Sequence, residues 1–245
     1  MNARALPPGP AVPPEYLGVW KRTLLRTPEL EDTTTVVHWL QTRSWHADLR
    51  VPAARPACAG QTALEQLSRE ELLGLATQQG FCGVTRVEGN ICRWLREYDY
   101  QPPSGDNDIG RMEFDTPDRV FEYGVEREYF EIWERVPGSA GLELAVTLPQ
   151  EPGSLPHAPG TFLLTTGDCF MIVRPRSARL PQAGNLLKLA TQATGPGLRD
   201  LLDFELSFGR IHGSSGRILQ SSLPWREGQL VPLPPARPQG RGSPP

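Results

Sequence analysis

The sequence predicts an all-β protein built from two consecutive antiparallel β-barrels, each carrying one short helix. Short runs of alternating apolar and polar residues follow one another and are bounded by Gly, Pro, Asp and Asn, as half-buried strands are. The segment Tyr16–Arg22 recurs as Tyr129–Arg135, with Tyr, Trp and Arg at the same spacing, which indicates an internal duplication. Antiparallel strands with few helices hide their edges by closing into barrels or by packing as two sheets.

The alternating pattern locates the strands. We predict them at 17–25, 34–42, 46–51, 81–88, 91–99, 109–115, 119–124, 127–136, 142–148, 161–166, 169–175, 204–211 and 216–222. Turns of the kind that join hairpins separate several neighbours, at Glu88–Asn90, Gly167–Asp168 and Gly213–Gly216.

Two segments depart from the strand pattern and predict helices. Ser68–Glu71 has the sequence of a capping box, in which the Ser hydroxyl and the Glu carboxylate satisfy free backbone N–H groups. Apolar residues follow it at helical spacing as far as Gly80, which ends the helix. A second, shorter helix is predicted over 197–202, and it corresponds to the first in the proposed duplication.

The duplication also predicts the domain organisation. An extended run ending in Arg-x-Pro or Arg-Pro, a helix and a strand that begins with Phe occur in the same order in both halves. We therefore predict an N-terminal barrel over 15–125 and a C-terminal barrel over 126–228, with a surface loop at 149–160. Pro-rich composition predicts disordered tails at 1–14 and 229–245. The alternative fold is a single larger barrel or sandwich with insertions.

Composition excludes several classes of partner. The 245 residues carry 25 Lys and Arg against 28 Asp and Glu, so the net charge of −3 gives no reason to expect nucleic acid. No apolar run approaches the roughly 20 residues that span a bilayer. No P-loop, dinucleotide fingerprint, zinc-protease motif or nucleophile elbow occurs, and no His lies at zinc-ligand spacing from a cysteine. We predict no cofactor and no metal.

The cysteines and the first residues predict a cytoplasmic protein. The four cysteines, at 58, 82, 92 and 169, form no C-x-x-C pair. The first fifteen residues contain one Arg and no apolar segment of the kind found in secretory signals. We therefore expect reduced thiols in a cytoplasmic compartment.

Five blocks of the sequence resemble a family of uncharacterised fungal and bacterial proteins. The blocks are Gly18–Arg22, Thr35–Thr42, Ala47–Pro52, Trp94–Pro102 and Tyr129–Trp133. The fungal members are named as interactors of a casein-kinase-type protein kinase, and the family is similar to the calycins, whose lipocalin-type barrels begin with Gly-x-Trp. The resemblance covers about 15–228. It implies two consecutive calycin-like barrels, in which the Trp of Gly-x-Trp packs at the barrel floor against an Arg from a late strand. It implies no established activity and no catalytic residues.

Polar residues share strand faces with aromatic ones, and these faces give the candidate site. Residues two apart in a strand point to the same side of the sheet. If the aromatic faces point inward, polar and aromatic groups meet inside a barrel. The candidate ligand-binding residues are Trp39, Gln41, Asp48, Arg50, Trp94, Arg96, Tyr129, Glu131 and Trp133. They form either a pocket whose polar groups orient a ligand or a structural ion-pair network.

The function expected from this arrangement is non-enzymatic binding of a small hydrophobic or amphipathic ligand inside a barrel. One alternative is a cofactor-independent enzyme (an isomerase, lyase or hydrolase) that uses Glu131, Arg96 or His46 in a solvent-reachable pocket. Another is a protein-interaction scaffold, which needs an exposed apolar patch instead of a cavity. The expected partner is thus a small apolar ligand or another protein, with no nucleic acid and no membrane.

Overall fold

The computed structural model describes residues 3–149, 160–177 and 179–234. Strands account for 46% of the residues and helices for 14%, so the mostly-β class is confirmed. The strands in chain order are β1 (Arg4–Ala5), β2 (Gly18–Arg26), β3 (Glu31–Asp32), β4 (Val36–Gln41), β5 (Trp45–Val51), β6 (Gln79–Glu88), β7 (Ile91–Asp99), β8 (Ile109–Thr116), β9 (Arg119–Gly124), β10 (Phe130–Arg135), β11 (Glu143–Leu148), β12 (Thr161–Thr166), β13 (Cys169–Arg174), β14 (Glu205–His212), β15 (Ser215–Ser221) and β16 (Leu230–Pro232).

Helices are short. They are α1 (Arg69–Leu75), α2 (Leu186–Gln192) and α3 (Gly195–Leu202), with 3-10 turns at Pro14–Tyr16, Leu64–Gln66 and Pro224–Arg226. The predicted capping box is present at α1, because the Ser68 hydroxyl accepts from the Glu71 N–H and the Glu71 carboxylate accepts from the Ser68 N–H. Helix α2, which we do not predict, begins after Asn185, whose side chain accepts from the Lys188 N–H.

Eight antiparallel strands form a closed barrel in the order β2-β4-β5-β6-β7-β8-β9-β10. Strand β10 closes it by pairing with β2 on one side and with β9 on the other. Closure leaves these strands without free edges, which is the outcome expected of a largely antiparallel chain. Strand β3 is a two-residue addition that pairs with the far end of β2.

The closing strand corrects two sequence predictions. Residues 129–135 do not open a second barrel, and the boundary predicted between 125 and 126 is wrong, because β10 completes the first barrel. In this register Trp133 lies opposite Arg22, and Arg135 lies opposite Trp20. The repeated Tyr, Trp and Arg pattern therefore belongs to two neighbouring strands that line the same interior.

The floor of the barrel is built around Trp20. The Arg135 guanidinium lies 4.2 Å from the centre of the Trp20 ring, and the Trp20 indole donates to the Tyr16 carbonyl at 2.8 Å. Arg135 also donates to the Leu17 carbonyl, which fixes the 3-10 turn under the barrel. Gly18 has a φ of +124°, and a Cβ there would lie 2.7 Å from an Arg135 nitrogen.

The other seven strands form a curled sheet in the order β1-β11-β12-β13-β14-β15-β16. Among the described residues its ladder ends at β1 and β16, so a second closed barrel is not confirmed. Both edge strands are short, since β1 has two residues and β16 has three. Pro7 lies shortly after β1, and Pro232 is the last residue of β16, which limits pairing with other chains.

The curled sheet packs on the outer wall of the barrel. Alternation turns Leu49 and Ala47 of β5 outward, where they join a cluster with Met171 of β13 and Leu206 of β14. The opposite face of the curled sheet has a separate cluster around Phe170. Apolar burial between the two sheets is therefore the main force that holds them together.

Arg176 fixes the contact between the sheets with hydrogen bonds to backbone. It donates to the carbonyls of Asp99 and Tyr100 at 2.9 and 2.7 Å and to that of Leu201 at 3.0 Å. Its guanidinium also lies 5.0 Å from the ring centre of Phe204. Burial lowers its pKa to about 10, so Arg176 stays charged at neutral pH.

The described residues near the two ends of the chain are not disordered tails. Residues 3–13, here called the N-terminal strap, pair through β1 with β11 and bury Leu6 and Val12. Near the other end, β16 pairs with β15 and buries Val231. Pro-rich composition predicts disorder only when the chain offers no apolar anchor, and these segments carry several. Most of the loop predicted at 149–160 and the last residues, 235–245, lie outside the described residues.

All four cysteines are buried and free. Burial raises the pKa of the Cys82 and Cys92 thiols, which keeps both protonated. Among the helices of the described residues, none has the length and apolar content to cross a membrane.

Candidate functional site

The barrel interior contains most of the predicted site residues. Trp39 and Gln41 on β4, Asp48 and Arg50 on β5, Trp94 and Arg96 on β7, and Glu131 and Trp133 on β10 all belong to the inward faces of their strands. Tyr129 lies just before β10 and reaches the same interior through its hydroxyl. Sequence alternation therefore brought these side chains together as expected, but their neighbours show that most are already engaged.

Two arginines inside the barrel, Arg22 and Arg50, are paired with carboxylates. Arg22 binds Glu131 at 2.7 Å and Asp32 at 3.1 Å. Arg50 binds Asp48 at 2.7 Å. Burial of charges costs free energy unless each is paired and hydrogen-bonded, and these contacts offset part of that cost.

Arg96 forms a second group of contacts on the same side of the barrel. It binds Asp108 at 2.7 Å and Asp99 at 2.9 Å. Its guanidinium lies 3.7 Å from the centre of the Phe81 ring, and that of Arg50 lies 5.3 Å from the same ring. Phe81 is therefore shared by two arginines, each of which also has a carboxylate partner.

Glu122 is the interior carboxylate with no cationic partner among the described residues. It accepts from the Tyr129 hydroxyl at 2.7 Å and from the Trp133 indole at 3.0 Å. Burial raises the pKa of Glu122 well above its usual value, and the nearby charge of Glu131 raises it further. Burial likewise raises the pKa of Glu131, against the opposing effect of Arg50 and Arg22. Glu122, which lacks a cationic partner among the described residues, is therefore the interior carboxyl whose charged form is least favoured.

The interior cavity is very small. Its volume is about 10 Å³, which is close to the space that one water molecule occupies. The residues around it are Trp39, Asp48, Arg50, Phe81, Trp94, Asp108, Glu122 and Trp133. The three tryptophans fill the middle of the barrel by edge-to-face contacts with ring centres 5.4 and 5.8 Å apart. Side chains, and not a ligand-sized space, occupy the interior.

His46, which the enzyme alternative uses in a solvent-reachable pocket, has no access to solvent. It is fully buried, its Nδ1 lies 3.0 Å from the Thr85 hydroxyl, and that hydroxyl donates to Gln41 at 2.7 Å. Nδ1 therefore carries the proton, and Nε2 has no partner among the described residues. Burial lowers the pKa of His46 to about 3. The enzyme alternative uses Glu131, Arg96 or His46 in a solvent-reachable pocket, and of these three His46 is fully buried.

A β-bulge in β7 separates two side chains that strict alternation would place together. Arg96 pairs with Gly83, whereas Tyr98 pairs with Cys82, so Glu97 is the extra residue. Arg96 therefore points inward and Tyr98 outward. A Cβ on Gly83 would lie 1.9 Å from the Leu95 carbonyl oxygen, so the bulge needs glycine at this position.

The outward residues beside the bulge line a much larger space, here called the outer cleft. Its volume is about 550 Å³. It lies between the N-terminal strap and the outer faces of β6 and β7, and its lining residues are Leu6, Pro7, Pro8, Gly9, Pro10, Trp45, Val84, Arg86, Leu95, Glu97, Tyr98, Thr147 and Phe162. A row of three aromatic rings forms its floor, with Phe162 between Trp45 (centres 6.3 Å apart) and Tyr98 (5.0 Å).

None of the outer-cleft residues is among the ligand-binding residues that the sequence predicts. The predicted residues lie on strand faces that combine aromatic and charged residues, and in the structure these faces are interior. The outer face of β6 and β7 offers Val84, Arg86 and Leu95 without an obvious pattern. Two features of the outer cleft have no signal in the local sequence. One is the bulge that turns Tyr98 outward, and the other is the strap that forms the opposite wall. Glu122 could have been predicted as an interior residue from the sequence, since it lies two residues from Val120 on β9 and shares its buried face.

No metal site accompanies either space: in the ranges 3–149, 160–177 and 179–234, no three His, Cys, Asp or Glu side chains converge in a way that could hold a metal ion. Comparisons of the chain with protein-family models, with curated proteins and with solved structures found no match. The resemblance to a calycin-like family therefore stays an expectation, and the geometry alone must support a function.

Proposed function

We propose that this protein is a non-enzymatic binding protein that holds an elongated amphipathic ligand in the outer cleft. The observation that carries the proposal is the contrast in volume. The interior cavity of about 10 Å³ admits one water, whereas the outer cleft of about 550 Å³ lies in the range of small-ligand sites, roughly 300–1,000 Å³. We therefore propose the outer wall of the barrel as the ligand-binding site, in place of the interior that the sequence predicts.

The lining of the outer cleft supports an amphipathic ligand. The floor of Trp45, Phe162 and Tyr98 supplies apolar contact area. Arg86 and Glu97 are exposed on one wall, and in the described part of the chain neither forms an ion pair or a hydrogen bond. Glu97 is partly desolvated despite its exposure, and this raises the pKa of its carboxyl group. Apolar surface with a few unpaired polar groups is the usual composition of a ligand site.

An exposed leucine in the cleft allows a test with a matched control. Leu95 is 42% exposed on the cleft wall, and Leu219 is 49% exposed on β15, outside the cleft. Leu95→Glu should place a carboxylate on the apolar cleft wall without disturbing the core, and Leu219→Glu should change only the surface. We expect 8-anilinonaphthalene-1-sulfonate, an amphipathic probe, to bind the native protein with a rise in fluorescence. Binding should weaken at least tenfold in L95E, because its carboxylate repels the sulfonate of the probe, and stay unchanged in L219E.

Equal binding by the native protein and L95E would overturn the proposal, and so would the absence of binding by the native protein. The unfolding transition of each variant in urea checks that a loss of binding does not come from a loss of fold.

A further inference from the structure

We infer that the natural ligand of the outer cleft is a proline-rich peptide segment in the polyproline II conformation, and that the N-terminal strap occupies part of its site. The inference rests on the proposed function, because it names the ligand class of the same cleft. Three features of the strap support it: its backbone conformation, the groups that hold it, and the space that continues beside it.

The strap has the sequence of a polyproline II segment. Pro7, Pro8 and Pro10 each fix φ near −65°, and the residue before a proline is restricted to extended conformations. Pro13, near the end of the strap, has φ −56° and ψ 145°, which is the polyproline II region. The strap therefore reaches the barrel already extended and loses little conformational entropy on docking.

The contacts of the strap are those that proline-rich ligands make with their receptors. The Trp45 indole donates to the Pro7 carbonyl at 2.9 Å, and the Ser44 hydroxyl donates to the Gly9 carbonyl at 3.0 Å. Aromatic-lined grooves recognise polyproline II segments in this way, since such segments have no internal hydrogen bonds and leave their carbonyls free. The outer cleft is thus already a receptor for a proline-rich segment of its own chain.

The cleft extends beyond what the strap covers. Tyr98 and Arg86 line the remaining space, and within the described ranges the Tyr98 hydroxyl and the Arg86 guanidinium donate to no other group. Both are donors, which suits a ligand that presents carbonyl oxygens at regular intervals. A peptide that runs beside the strap, or replaces it on Trp45, would find the same floor and two further donors.

The test uses a synthetic peptide with the strap sequence, residues 3–12, and a control peptide in which its three prolines are alanines. Binding is measured by titration calorimetry to the native protein and to the full-length double variant Pro7→Ala, Pro8→Ala, whose strap holds its site less firmly. We expect the proline peptide to bind the double variant at least tenfold more tightly than it binds the native protein. The alanine peptide should bind neither.

A second variant tests the hydrogen bond. Trp45→Phe keeps an aromatic ring on the floor but lacks the indole donor, and we expect it to lower peptide affinity at least fivefold in the double-variant background. Displacement of 8-anilinonaphthalene-1-sulfonate by the peptide is followed in the same samples.

The outcomes separate the two proposals. If the fluorescent probe binds in the cleft but the proline peptide does not bind to either protein, the inference is overturned and the proposed function stands. If neither binds, both fall. Equal affinity for the proline and alanine peptides would also overturn the inference, because polyproline II conformation would then contribute nothing.

Discussion

The barrel interior and the outer cleft are lined by opposite faces of the same two strands, β6 and β7. The inward face presents Phe81, Trp94 and Arg96, and the outward face presents Val84 and Leu95. The inward face meets the other six strands of the barrel, and its side chains are largely packed and paired. The outward face meets a Pro-rich strap that covers it only in part.

This difference teaches that charged and aromatic residues on one strand face do not by themselves mark a ligand site. Inside the barrel, the charges of Arg22, Arg50 and Arg96 are used by neighbouring carboxylates. The polar groups that are available to a ligand lie in the outer cleft, where no sequence pattern predicts a site. Available volume and unused hydrogen-bonding capacity separate the two regions more clearly than residue type does.

The largest effect is expected from breaking the buried ion pair of β2. Arg22→Met leaves Glu131 without its 2.7 Å partner in a site where the side chain is 6% exposed, which should lower the free energy of unfolding by about 4 kcal/mol. Arg26→Met, on the same strand, breaks an exposed pair with Glu31 and should cost less than about 1 kcal/mol. Urea unfolding of both variants measures the difference. Similar losses would mean that the interior charges are solvated and that the contrast with the cleft is wrong.

The pH dependence of stability is the next test of a dry interior. Burial lowers the pKa of His46 to about 3, so the unfolded chain binds the proton first as the pH falls below 6.5. His46 therefore contributes stability that is present above pH 6.5 and is lost toward pH 4, by about 3 kcal/mol. His46→Asn retains a donor for the Thr85 hydroxyl and does not titrate.

The comparison between native protein and H46N isolates this effect. The raised pKa values of Glu122 and Glu131 act in the opposite direction, since these groups stabilise the fold as the pH falls, but they are present in both proteins. We expect the free energy of unfolding to fall less steeply in H46N between pH 6.5 and 4. Parallel curves would show that water reaches His46.

The smallest expected effect concerns the bulge that separates the two faces. Gly83→Ala places a Cβ against the Leu95 carbonyl oxygen and should cost about 2 kcal/mol. Because the bulge turns Tyr98 outward, the same change should weaken binding of the fluorescent probe in the outer cleft. Gly184→Ala, where a Cβ meets nothing within 4 Å, is the control. If G83A binds the probe as tightly as the native protein does, the bulge does not contribute to the outer cleft.

Local structure could be predicted well from the sequence. All thirteen predicted strands correspond to observed strands, and α1 and α3 lie at predicted positions. Alternation, turn residues and the capping box are local signals, and burial did not override them. The strands that we did not predict, β1, β3 and β16, have two or three residues, which is too short for a repeating pattern.

Pairing and the candidate site could be predicted only in part. The pattern of Trp133 and Arg135 indicates an inward face, but nothing local says that β10 pairs with β2. The interior residues were found because alternation decides which of them share a face. The outer cleft was missed because it depends on contacts between distant segments: a bulge at Glu97 and a strap that reaches Trp45.

Closure of the barrel by β10 also constrains the order in which the protein can fold on the ribosome. Arg22 and Glu131 are 109 residues apart, an interval that takes roughly 5–20 s to synthesise at ordinary rates of translation. During that time β2 has no β10 to pair with, and Trp20 lacks the Arg135 guanidinium that covers it. The strap waits longer still, because its partner β11 follows β10. The strap and β2 are therefore made well before their partner strands, and a nascent chain of this protein exposes its barrel strands to chaperones until β10 emerges.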